Sequence, residues 1–173
     1  MSVWLGASHS IAFDSDAVMR LKAGPVCMGC DLSGVSMMEV YLPGAILKNA
    51  NLSNAVLKKA ILNGADLSGA NLSGADLSGS SLKYVNLAGA NLSKANLSNA
   101  NLAGAKLPKA DLAGAVLTNA GLRGARFAEA QLSGSNLEGA DLMYAEDLDP
   151  ASLTGAKLCK TRMPDGNLDN SGC

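Results

Sequence analysis

Aromatic residues make up only 3% of this 173-residue chain and charged residues only 17%. With one Trp, two Phe and three Tyr, a globular core assembled around large rings is excluded. The 48% apolar content must come mainly from Leu and Ala, which suits a narrow, regular tube. There is a single histidine, His9, so the many serines have no imidazole partner to activate them as nucleophiles. The aspartates Asp31, Asp66, Asp76, Asp111 and Asp141 are spread over different faces instead of paired for acid–base work. No apolar run approaches the ~18 residues that a spanning helix needs, which argues against membrane insertion. A net charge of −1 makes no strong field, which argues against nucleic-acid binding through phosphates. The Gly-rich segments lack the strand–loop–helix context and the Gly-Lys-Ser/Thr ending of a phosphate loop. These absences predict a protein that is not an enzyme, with no catalytic, cofactor-binding or metal-binding residues.

What the chain does have is a repeat. From Cys30 to Tyr144 one five-residue unit, A-(N/D)-L-(S/x)-(G/N), recurs twenty-three times without a break. Its centre is Leu except at Met37 and Phe127, and the residue two before the centre is Ala in seventeen units. The exceptions there, Cys30, Val35, Val40, Ser80, Val85 and Ser135, are all small. Two after the centre stands Gly in twelve units and Asn in four. Five is the wrong period for a helix, where it advances by about 140°, and an odd step puts successive residues on opposite faces of a strand. If the chain instead turns a corner in every unit, Leu and Ala point inward each time. Gly or Asn then supplies a corner that wants positive φ. Coils of this kind stack and bury a continuous core that no single repeat could bury alone.

Quintets such as Ala65-Asp66-Leu67-Ser68-Gly69 and Ala70-Asn71-Leu72-Ser73-Gly74 resemble the pentapeptide-repeat family, over about two thirds of the chain. The resemblance implies an all-β fold, a right-handed quadrilateral β-helix with four quintets to a coil. Twenty-three quintets then form nearly six coils, a rod roughly 28 Å long at ~4.8 Å per coil. The segments Cys27-Met28-Gly29-Cys30-Asp31-Leu32 and Leu158-Cys159-Lys160-Thr161-Arg162-Met163-Pro164-Asp165-Gly166 are similar to cyanobacterial and plastid-lumen members.

The expected domain map is a disordered tail over 1–12, a capping helix and loop over 13–29, the repeat over 30–144 and a phase-shifted coil and cap over 145–173. The helix is read from Phe13 to Lys22, with Asp14 or Ser15 as N-cap and Gly24-Pro25 as stop. Phe13, Val18 and Leu21 would lie over the first coil and shield its open edge. The apolar stretch Ser2-Val3-Trp4-Leu5-Gly6-Ala7 is short and has no basic residues before it, so it does not read as a signal peptide. After Leu142 the phase slips by one. Leu148, Leu153, Leu158, Met163 and Leu168 resume the five-residue step. Either a bulge near Ala145 to Asp147 or a helical turn over 149–154, capped by Asp149 with Pro150 first, absorbs the extra residue.

Four cysteines admit three readings. A single metal site is excluded because Cys27 and Cys30 belong at one pole of the rod and Cys159 and Cys173 at the other. A redox pair at Cys27 and Cys30 and two structural disulfides, Cys27 with Cys30 and Cys159 with Cys173, both stay open. Paired cysteines at both poles favour an oxidising compartment, periplasm or thylakoid lumen, over cytoplasm.

Outward positions carry any function. Residues twenty apart stack, so Asp31, Asn51, Asn71, Asn91, Asp111 and Gln131 form a ladder beside Ser33, Ser53, Ser73, Ser93 and Ser133. Tyr41 over Ile61, with Ile46 and Val56 on the flanking faces, forms an apolar patch where other quintets carry Asn or Asp. Lys106, Arg126, Lys109 and Arg123 make a basic patch that Glu129 and Glu146 partly neutralise. The expected function is a non-enzymatic scaffold presenting a rigid surface to an unknown protein partner, as a monomer or weak dimer. Two alternatives are a DNA-mimic inhibitor of a type II topoisomerase and a thiol redox protein using Cys27 and Cys30.

Overall fold

Five residues make one side and twenty make one turn. In a computed structural model, which describes Leu21 and residues 24–173, the residue before each Leu forms a parallel bridge to its counterpart twenty positions on. Four such ladders run the length of the rod. They begin Asp31↔Asn51, Ser36↔Val56, Tyr41↔Ile61 and Val26↔Ile46↔Asp66, and define the Asp31, Ser36, Tyr41 and Ile46 faces. The chain is thus a four-sided β-helical solenoid. Each side contributes a single bridging residue, too short to be a strand of its own. The multi-residue strands among the described residues are β1 (Thr161–Arg162) and β2 (Leu168–Asp169), paired antiparallel.

Backbone hydrogen bonds explain why the repeat selects this geometry. The Leu92 N–H donates to the Asp111 carbonyl one coil on, at 2.6 Å, and the Asn91 N–H donates to the Ala70 carbonyl one coil back, at 2.9 Å. The corner between is closed by the Ala95 N–H donating to the Leu92 carbonyl at 3.0 Å. Its third residue, Lys94, has φ 58°. Gly and Asn were expected there, yet Glu39, Lys59, Tyr84, Lys94, Lys109, Glu129 and Tyr144 also take positive φ. A left-handed non-Gly residue costs about 1–2 kcal/mol, so the coil's bonding, more than the residue at the corner, sets the corner's shape.

Leu and Ala both face inward as expected, and from Ala45 to Leu142 the alternating centres and small residues are essentially without solvent contact. Phe127 occupies a Leu position inside this wall. Ser80 and Ser135 stand at Ala positions, and their buried hydroxyls have no hydrogen-bond partner among the described residues.

The two ends differ from the body. The capping helix expected over 13–22 lies outside the described residues, as do His9 and the 1–12 tail, apart from Leu21, which is buried in the core. At the other end the register changes from Arg126↔Glu146 to Asn136↔Lys157, twenty-one apart. The expected helical turn is present: a 3-10 helix spans Pro150–Leu153, and Asp149 caps it by accepting the Ala151 N–H at 2.9 Å, while just before it Asp147 takes φ 57° at the place where the bulge was expected. Pro150 also leaves no N–H on that exposed side. Beyond it, β2 folds back on β1. Asn170 accepts the Lys160 N–H at 3.1 Å, and Gly172 approaches the Lys157–Leu158 backbone so closely that a Cβ would lie 2.5 Å from the Leu158 nitrogen. The tail therefore covers the last coil's edge on two faces.

Candidate functional site

The ladders decide which expected residues meet. Tyr41 bridges Ile61 on one face, with Tyr41 70% exposed and Ile61 half-buried. Ile46 is 39% exposed on the next face, bridged to Val26. Val56 is half-buried on the face at the other side. The patch therefore wraps three faces of the N-terminal pole and is not planar. Exposed Val26, Met28 and Met38 extend it. Those three went unread in the sequence, although each stands at an outward position of its unit.

The cysteines form Cys27–Cys30 and Cys159–Cys173 disulfides, with Cα separations of 5.5 Å and 4.7 Å. No cysteine among the described residues is free, and no cluster of His, Cys, Asp and Glu among them could hold a metal ion. The second bridge ties the tail to the last coil, at the residue before which the tail packs most tightly.

Side-chain hydrogen bonds link the polar ladder from coil to coil. Asn51 donates to the Asp31 carboxylate at 3.0 Å, and Asn71 donates to the Asn51 carbonyl at 3.3 Å. The same Asn51 oxygen accepts the Ser53 N–H at 3.2 Å and its hydroxyl at 2.8 Å. This side chain–backbone turn recurs at Asp66, Asn91 and Asn96. The Ser33 hydroxyl, the Ser33 N–H and the Asn51 amide hold the Asp31 carboxyl below its ordinary value against a small burial penalty. These hydrogen bonds brace the stack.

The basic patch is partly neutralised as expected. Arg126 meets Glu146 at 2.9 Å and Lys109 meets Glu129 at 3.7 Å. Arg123 and Arg162 both face Asp141, at 3.2 Å and 3.9 Å. Two further exposed side chains, Tyr84 and Tyr144, stand on a single corner of the rod. Sequence reasoning passed over them because a five-residue reading treats both as isolated misfits. Their spacing is three coils, and only a period of twenty brings that out.

Overlapping copies of the pentapeptide repeats family model match residues 27–58, 36–74, 60–99, 70–107, 95–129 and 122–158. No curated protein sequence matches the chain at a significant level. Among solved structures it is similar to a pentapeptide repeat protein from the thylakoid lumen of Arabidopsis thaliana, 26% identical over 64% of this chain and 70% of that one, with a TM-score of 0.41. It is also similar to a pentapeptide repeat protein of the cyanobacterium Cyanothece 51142, 31% identical over 72% of this chain and 92% of that one, with a TM-score of 0.30. The full-length plasmid-mediated fluoroquinolone resistance protein QnrB1 is 22% identical over 76% of this chain and 81% of that one, with a TM-score of 0.41. With the repeat matched from Cys27 to Leu158, the chain belongs to the pentapeptide repeat family.

Proposed function

We propose that this chain is a non-enzymatic scaffold that acts by presenting a rigid surface to a protein partner, with the N-terminal apolar patch of Tyr41, Ile46, Val56 and Ile61 as the contact. The observation that carries this reading is the exposure of Tyr41 directly over Ile61, beside exposed Val26, Met28, Met38 and Ile46, on a frame whose side chains are braced by the coil. Five apolar side chains exposed together at one end of the rod are characteristic of an interaction site. A preorganised surface loses little entropy on binding, so a small patch suffices for a transient complex. We place the protein, as a monomer or weak dimer, in the periplasm or a thylakoid lumen. Its disulfides suit an oxidising compartment, and no helix among the described residues is long and apolar enough to cross a membrane.

The charge layout weighs against the DNA-mimic alternative. Asp31 and Asp111 lie on one face, and Asp66, Asp76 and Asp141 lie on the three others, so no face offers a continuous run of negative charge. The redox alternative is weakened by the position of Cys27–Cys30 at the edge of a β-coil, with no helix N-terminus beside it among the described residues to lower a thiol's pKa. The test is a photo-crosslinking residue at position 41, with position 91 as control, irradiated in extract of the protein's own compartment. A discrete adduct from 41 that disappears when Ile61 is also changed to Asn supports the reading. Identical adducts from both positions refute it.

A further inference from the structure

The corner between the Tyr41 and Ile46 faces holds Gly64, Tyr84, Gly104, Gly124 and Tyr144 in successive coils. Tyr84 is 72% exposed and Tyr144 62%, and three coils separate them, about 14 Å along the rod. The Tyr84 ring comes close to the next coil at Gly104. A Cβ on Gly104 would stand 2.6 Å from the ring's Cδ1 and Cε1 atoms, so Gly leaves room for that edge of the ring, and most of the side chain is open to solvent. The Tyr144 ring carries the Arg123 guanidinium 5.4 Å from its centroid. Between the two rings the corner positions are Ala103 and Gly104 in one coil and Arg123 and Gly124 in the next, so Arg123 is the one long side chain that this corner carries between them.

The charge here differs from that of the whole chain. Lys83, Lys106, Arg123 and Arg126 border the corner, against Asp141 and Glu146, whereas the chain as a whole carries −1. Arg123 and Arg126 are engaged by those two carboxylates, and Lys83 and Lys106 have no ion pair among the described residues. Two cations are thus left over beside two exposed aromatic rings.

We infer that this corner is a second docking surface, separate from the N-terminal patch, for an extended acidic segment of a partner protein that carries large apolar side chains. Four residues of extended chain cover about 13–14 Å, and side chains four apart project to the same side. Two apolar side chains at that spacing reach both tyrosines, while carboxylates between and beside them meet Lys83 and Lys106. Tyr and Arg dominate the energetics of protein interfaces, and a ring held against backbone loses little further freedom on binding.

The test titrates the 173-residue, disulfide-intact chain into a labelled random Glu-Tyr copolymer, with poly-Glu and oligo-dT as companion probes, and follows anisotropy. We expect the copolymer to bind about tenfold more tightly than either companion. The Tyr84→Asn, Tyr144→Asn double variant keeps the fold, because Asn already takes positive φ at the same position of other quintets, as at Asn49 and Asn99. It should lose about tenfold in copolymer affinity. Lys83→Gln with Lys106→Gln should weaken binding severalfold and flatten its salt dependence. Tyr41→Asn with Ile61→Asn should bind the copolymer as wild type does, which separates this surface from the N-terminal patch. Absence of copolymer binding, equal binding of poly-Glu, preference for oligo-dT, or an unaffected tyrosine double variant would each overturn the inference.

Discussion

The middle coils and the C-terminal coil are built from the same five-residue step, yet their cores differ. Leu92, Leu97 and Leu102 have no solvent contact, whereas Leu148, Leu153, Leu158 and Met163 are only partly covered. The difference comes from neighbours: an inner coil is sealed on both sides and the last coil on one. Leu alone therefore cannot hold the end. A disulfide, a hairpin and a proline-started turn take over where stacking stops.

The largest expected break in this contrast is Leu92→Ala. It should cost roughly 2–5 kcal/mol in denaturant melts, against about 1 kcal/mol for Leu153→Ala on the half-covered coil. Asn91→Ala, beside Leu92 but facing outward, should cost less than about 1.5 kcal/mol. Equal losses at 91 and 92 would contradict the inward and outward assignment.

Next in size is the Cys159–Cys173 bridge, whose removal as Cys159→Ser with Cys173→Ser should cost about 3 kcal/mol in the chain-entropy account. Hydrogen exchange should then rise over 157–173 while the coils around Leu92 stay protected. Uniform loosening would mean that the cap and the body form one cooperative unit.

Gly104→Ala should cost about 1–2 kcal/mol, because the residue sits at φ 66° and the new Cβ displaces the Tyr84 ring. Its signature is a change in the Tyr84 ring resonances by NMR, which Gly89→Ala, with open space around it, should not produce. In the opposite direction, Ser80→Ala removes a buried hydroxyl without a partner and should raise stability by about 1 kcal/mol.

The smallest effect is acid sensitivity. Asp66 is held below the ordinary aspartate value, first by the Ser68 hydroxyl. Burial opposes this, while the Ser68 N–H, the charge of Lys48 and the Asn86 amide add to it. A lowered folded value contributes stability that is complete above the unfolded aspartate pKa and is lost as pH falls through the lowered one. Asp66→Asn should therefore show a smaller drop in urea midpoint between neutral pH and about pH 3 than wild type. An identical drop would remove Asp66 from the account.

The repeating body was readable because a single constraint recurs in every unit: Leu and a small residue inward, a polar residue outward, a corner after each. The solenoid, its core and the stacking of residues twenty apart all follow from that. Less readable were features that depend on long-range geometry. Positive φ at Glu39, Lys59 and Tyr84 contradicts local preference, because bonding to two neighbouring coils overrides it. The β1–β2 hairpin rests on Asn170 and Gly172 contacting residues ten or more positions away, and no local pattern announces that. At the N-terminal pole the reading found Tyr41 and Ile61 but missed Met28 and Met38, which occupy the position where the repeat tolerates almost any residue.

The ladders that fix the coil also make the rod an address system with a modulus of twenty. Deleting any one quintet would leave the core intact and rotate everything after it by a quarter turn, moving Glu146 from the Ile46 face to the Tyr41 face. Deleting four consecutive quintets would shorten the rod by about 4.8 Å and return every later residue to its own face. Length and surface orientation are therefore separable in this fold. Two contact points can be set closer or farther apart in whole coils while still looking in the same direction, as Tyr84 and Tyr144 do.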